Sequence, residues 1–143
     1  VALKIEVESL CIGVCTDLGF VSSLVKRKLM GCDILYVEAN HDPSMVQASK
    51  RPYVYKKRVL GAQGHLSNEA CGSLLLEVFH EGIKKVYLAH LSSECNTEEK
   101  ALEHVRSMLE KEGKSLPVHI AYQDQMSDPC WFSSIREKTI HAI

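Results

Sequence analysis

Four side chains able to carry acid–base or metal chemistry stand just past apolar runs. Asp17 follows the run 10–16, His41 and Asp42 follow 34–39, and His90 follows 85–89. A fifth, His65, comes shortly before a helical run, where backbone amides point at bound anions. Carboxylates and imidazoles together suit divalent cations such as zinc and manganese, and imidazole moves protons near neutral pH. In a parallel α/β sheet the carboxyl ends of the strands share one edge, so Asp17, His41 and His90 are expected to converge there. Each residue also has a plainer role open to it. Asp17 could cap the following helix, His90 could be a hydrogen-bonded strand-end histidine, His65 a helix-start residue, and Asn40 and His41 could order a loop.

The elements that must position these groups follow from periodicity. Leu3, Ile5 and Val7 alternate with Lys4, Glu6 and Glu8, the pattern of a half-buried strand. The nearly continuous apolar run 10–16 reads as a strand covered on both faces. Apolar residues at 20, 21, 24, 25 and 29 predict a helix ending at Gly31, and 34–39 predicts a buried strand. Asn40-His-Asp-Pro reads as a break. A short helix is expected over 53–60, then a helix capped by Ser67 and stopped by Gly82, and a core strand over 85–89. Asn96 followed three residues on by Glu99 reads as a capping box that starts a helix through Ala101, Val105 and Leu109. A last strand lies around 118–121. The order β-β-α-β-α-α-β-α-β predicts an α/β fold in one unit, with helices on one or both faces of a sheet.

Composition excludes several classes. The chain has 143 residues, 45% of them hydrophobic and 24% charged, as in one ordinary globular domain. A domain of this size buries roughly two-thirds of its unfolded surface and needs no disulfide or metal merely to fold. The formal net charge of -1 removes the basic excess of a dedicated nucleic-acid-binding module, so any such contact is local. The six cysteines, at 11, 15, 32, 71, 95 and 130, lack paired CxxC spacing and read as free thiols of a reducing cytoplasm. Cys11 and Cys15 share a strand face and suit packing better than chelation. No apolar run is long enough to span a membrane, and no export signal precedes the first strand.

Four motifs in sequence resemble the C-terminal half of metallo-β-lactamase-fold hydrolases, especially the YycJ-like (WalJ-like) exonucleases. Cys15-Thr-Asp-Leu-Gly is similar to the family's strand-end Thr-Asp-x-Gly, and Glu38-Ala-Asn-His-Asp to its Glu-Ser-Asn-His-Asp. Gly64-His-Leu-Ser-Asn-Glu resembles its Gly-His-Leu-Ser-Asn helix start, and Ala89-His-Leu-Ser-Ser-Glu-Cys-Asn-Thr its Gly-His-Leu-Ser-x-Glu-Asn-Asn. The resemblance covers roughly residues 1–122. It implies half of an αββα sandwich, one mixed sheet with covering helices, and a metal-dependent phosphodiesterase acting on DNA. Asp17 would bridge two divalent ions, zinc or manganese, and His90 would be a terminal ligand. His65 would contact the scissile phosphate or protonate the leaving oxygen, with Asn40, His41, Ser67 and Asn68 near the substrate.

The family's strongest metal motif, His-x-His-x-Asp-His, is absent, as is a further histidine ligand. Two ligands cannot complete a catalytic zinc site, which usually takes three protein donors and a water. The chain, opening on Val1 directly into a strand, is therefore expected to be the C-terminal portion of such a fold, inactive alone and partnered by the missing N-terminal half. A homo-oligomer stays open, as do two other functions: a metal-free interaction module that keeps the fold, and a hydrolase of another ester or amide such as a thioester or lactam. Lys50, Arg51, Lys56, Lys57 and Arg58, interleaved with Tyr53 and Tyr55, read as a solvated helix face or as a contact for phosphates and bases. His80, His104, His119 and His141 receive no role.

Overall fold

The computed structural model describes residues 1–132, so His141 lies outside the described residues. Five strands form one mixed sheet in chain order. β1 (Ala2–Val7) and β2 (Leu10–Cys15) make an antiparallel hairpin, and β3 (Ile34–Glu38), β4 (Lys85–Ala89) and β5 (Val118–Ile120) continue it in parallel. Parallel neighbours need crossovers. α1 (Ser23–Leu29) joins β2 to β3, and α5 (Glu98–Lys111) joins β4 to β5. Between β3 and β4 run three helices: α2 (Pro43–Ala48), α3 (Tyr53–Val59) and α4 (Asn68–Glu77).

Register decides which side chains meet the helices. Cys15, Val37, Leu88 and Ile120 lie in one row across the sheet, and Leu35, Val86 and Val118 in another. All seven are buried in one apolar core with Leu29 of α1, Cys71, Leu74 and Leu75 of α4, and Ala101, Val105 and Leu109 of α5. The opposite face carries Ile12, Val14, Tyr36, Tyr87 and His119. Part of it is crossed by the chain near Asp128, whose backbone oxygen accepts from Tyr87 Oη at 2.6 Å and from Lys85 Nζ at 3.2 Å.

Several expectations are corrected here. β2 is covered on one face, since Gly13 and Cys15 are buried while Ile12 and Val14 are only half-buried. β1 has the predicted alternation, yet Leu3, Ile5 and Val7 remain 43–55% exposed, since the chain near Asp128 that crosses their side of the sheet lies over β4, away from β1. The predicted helix 20–30 begins later, at Ser23, where the Ser22 hydroxyl accepts the Val25 N–H. Asn40-His-Asp-Pro does not simply break the chain: Asp42 caps α2 and Pro43 takes its first turn, the position where a missing N–H does no harm. The cap of α5 is Thr97 rather than Asn96, which is buried and exchanges amide hydrogen bonds of 2.8 and 3.0 Å with Asn68. As expected, Ser67 caps α4 and Gly31 adopts a left-handed φ of 77°. The six cysteines are free thiols, and no described helix is long and apolar enough to cross a membrane.

The Asp42 cap has a pH signature. Its Oδ1 accepts from Ser44 Oγ and from the Met45 N–H at 3.0 Å. The Ser44 bond foremost, and then the Met45 N–H against some desolvation, holds the carboxyl below its ordinary value. A carboxyl depressed in the folded state contributes stability above its unfolded pKa and loses it as the pH falls through the folded value. Asp42→Ala is expected to cost about 1 kcal/mol at neutral pH in urea denaturation. The gap between variant and wild type should narrow below about pH 4, and a gap constant with pH would contradict this origin.

Candidate metal centre

The parallel register brings the ends of β2, β3 and β4 side by side, and three polar groups emerge there. Glu38 is the last residue of β3, Asp17 stands two residues past β2, and His90 directly follows β4. His65 arrives from the loop before α4. One oxygen, nitrogen or carboxylate donor from each of Asp17, Glu38, His65 and His90 lies within 4.8 Å of every other.

Glu38 is the hub. Its side chain is fully buried, yet four donors surround it. Oε1 accepts from Nδ1 of His90 at 2.7 Å and from Nδ1 of His65 at 2.8 Å, and Oε2 from the backbone N–H groups of Leu66 at 3.1 Å and Leu18 at 3.3 Å. A buried carboxylate without such partners would be costly. Because an ionised carboxylate only accepts, the network assigns the proton of both rings to Nδ1 and leaves each Nε2 with its lone pair. A carboxylate behind a histidine is the usual way a protein orients an imidazole for a metal. Asp17 Oδ1 lies 3.5 Å from His90 Nδ1 and 3.7 Å from His65 Nδ1, and the two rings meet edge to face with centroids 5.1 Å apart.

The backbone is shaped to serve this cluster. Asp17 and His90, on the two strands flanking β3, both hold φ at 55°, a left-handed conformation that non-glycine residues seldom take. Surrounding bonds must hold such residues in place. Asn40 does so for His90, giving its Nδ2–H to the His90 carbonyl at 2.7 Å. Two close approaches fix the neighbouring loops: a side chain at Gly19 would overlap the Ala62 carbonyl, and one at Gly64 the Val59 carbonyl.

The cluster opens into a cleft of about 710 Å³ lined by Asp17, Asn40, His65 and His90, with Tyr36, Tyr55, Ser92 and Gln123 among its walls. Asp17, His65 and His90 are thus brought together. Asp17 is not a helix cap, since Ser22 caps α1. Asn40 reaches the cleft, while His41, Ser67 and Asn68 do not line it. His41 is 2% exposed with its backbone oxygen holding the Asn68 N–H, and burial foremost, then the nearby His65, pushes its imidazole pKa down. Ser67 Oγ is engaged at the cap, and the Asn68 amide is paired with Asn96. Sequence reasoning quoted Glu38 within a motif and gave it no role. The available signal was an acidic residue closing an otherwise apolar core strand, where charges are rarely fully buried unless paired.

The exposed Asp17 carboxylate and the His90 imidazole steered by Glu38 are donors that fit a divalent cation such as zinc or manganese, with the His65 ring beside them. Glu38→Gln should loosen both rings and lower zinc affinity by roughly 10- to 100-fold in a chelator competition titration. Unchanged affinity would show that the rings do not depend on Glu38.

No protein-family model matches the chain. It is 34% identical over 114 residues to a protein named exodeoxyribonuclease YycJ from Bacillus anthracis, an alignment covering 80% of this chain and 42% of that protein. It is 36% identical over 86 residues to exodeoxyribonuclease WalJ of Streptococcus pneumoniae D39, covering 60% of this chain and 32% of that one. Among solved structures, the metallo-β-lactamase fold protein YhfI from Bacillus subtilis superposes with a TM-score of 0.58 at 18% identity, over 84% of this chain and 40% of YhfI. The chain thus spans well under half the length of these relatives. Its single mixed sheet has the metallo-β-lactamase fold, and over that fold its sequence is similar to the YycJ and WalJ proteins.

Proposed function

We propose that the chain supplies one half of the active site of a metal-dependent phosphodiester hydrolase that acts on DNA as an exonuclease. The observation that carries this reading is the convergence of Asp17, His65 and His90 on the buried Glu38 carboxylate at the mouth of a polar cleft. The names of the two relatives add the substrate class. Asp17, whose carboxylate has two oxygens, would stand between two divalent ions, and His90 would hold one of them. Bound there, the ions would supply an activated water and neutralise charge on the phosphate.

The remaining work falls to this chain's own side chains. His65, held at Nδ1 by Glu38, has Nε2 free to take up a proton and pass it to the leaving oxygen. Glu38 steadies that ring while it carries charge, as an orienting carboxylate does behind a catalytic histidine. Asn40 fixes the His90 backbone, and with it the direction of the ring.

Asp17 and His90 are fewer donors than two ions require, so the other ligands must come from outside these residues. The open side of the sheet suits that need. Leu3, Ile5 and Val7 expose a row of apolar side chains that a second sheet, packed about 10 Å away, would cover. An N-terminal half carrying His-x-His-x-Asp-His would supply both the sheet and the ligands.

Mutation of the full-length protein separates the roles. Asp17→Ala should abolish hydrolysis of a labelled oligonucleotide and lower bound metal by elemental analysis. His65→Ala should keep the metal and slow turnover by about 10²- to 10⁴-fold, the range of general acid–base catalysis. Wild-type turnover in Asp17→Ala would sink the bridging role. Metal loss in His65→Ala would make that residue a ligand instead.

A further inference from the structure

Tyr55 of α3 is 37% exposed and shares the cleft wall with Asp17, His65 and His90, although it belongs to no part of the cluster. Val59, one helical turn on, lies on the same wall and is buried against Val46 and Cys95, which anchors the helix. The Arg51 guanidinium sits 5.4 Å above the Tyr55 ring and is itself held by Glu94, its Nε–H donated to Oε2 at 2.8 Å. The ring is therefore braced on one side and open to the cleft.

The rest of α3 is unusual in its charge and its exposure. Residues 43–68 contain five cations and no Asp or Glu, in a chain whose net charge is -1. Tyr53 is 76% and Val54 78% exposed, next to the exposed Lys57 and Arg58. Among the described residues no carboxylate lies within 4 Å of the Lys57 or Arg58 cationic groups. A merely solvated helix face would explain the cations but not an aromatic ring placed in the wall of the site. Aromatic rings beside a cationic track are how proteins hold single strands, with bases stacked on the rings and phosphates on the cations.

Resting on the nuclease reading, we infer that α3 guides a single-stranded nucleic-acid end into the cleft. The Tyr55 ring stacks on the base next to the phosphate to be cut, and Lys57 and Arg58 hold phosphates farther along the strand. The hydrolysed bond then lies a fixed step from a stacked base, whatever that base is, because every base offers a π-face.

The test is binding of the metal-loaded full-length protein to a labelled, cleavage-resistant phosphorothioate oligothymidylate, followed by fluorescence anisotropy across a salt series. Tyr55→Ala should weaken the Kd about tenfold, Tyr55→Phe should restore it, and the loss should vanish on an abasic strand that has nothing to stack. Lys57→Ala with Arg58→Ala should weaken binding on both strands and flatten the salt slope by about 1.4. Wild-type affinity in Tyr55→Ala, or an equal loss on the abasic strand, overturns the stacking role. An unchanged salt slope overturns the phosphate contacts. A protein that binds in this manner yet hydrolyses no phosphodiester keeps the strand path and loses the nuclease reading, whereas hydrolysis of DNA with binding indifferent to all three residues does the reverse.

Discussion

The site depends on one buried carboxylate. Glu38 has no solvent contact, and its charge is tolerable only because two backbone N–H groups and two imidazole N–H groups close around it. The dependence runs both ways. The loops after β2 and before α4 are tied to Glu38 through Leu18 and Leu66, and the two histidines take their tautomer and direction from it. Removing the charge would release two loops and two rings at once.

The fold exists around that contact in a definite sense. Parallel pairing of β2, β3 and β4 puts three strand ends at one edge, and the left-handed turns at Asp17 and His90 bend the chain on either side of Glu38. The helices bury one face of the sheet and leave the other partly open. On that open face the β1 row of Leu3, Ile5 and Val7 stays exposed, and under the proposed function the same second half would cover it and add metal donors. Beside the strand ends, α3 places Tyr55 in the wall of the cleft.

Much of this was legible in the sequence, for identifiable reasons. Strands 34–38 and 85–89 announce themselves by apolar runs, and their polar successors mark the site edge because parallel strands all end there. Ser67 and Gly31 signal helix boundaries through chemistry that acts locally. What escaped detection depends on distant partners. Asn96 looks like a cap until Asn68 claims its amide from across the fold, so the cap passes to Thr97. α2 was hidden because Asp42-Pro43 begins a helix as readily as it ends a strand. The half-covered state of β2 and the exposure of β1 depend on what lies opposite the sheet, which periodicity cannot report. Glu38 was overlooked because a single acidic residue reveals its importance only when its four donors are in place.

That Glu38 holds both histidines as Nδ1–H tautomers with Nε2 left unprotonated is open to direct measurement. Long-range proton–nitrogen NMR of ¹⁵N-histidine-labelled protein, recorded metal-free at mildly alkaline pH, distinguishes the two ring nitrogens of neutral imidazole. His65 and His90 are predicted to show a protonated Nδ1 and an unprotonated Nε2, and to lose that pattern in Glu38→Gln. A protonated Nε2 with a bare Nδ1 on either ring would contradict the arrangement on which the site is built.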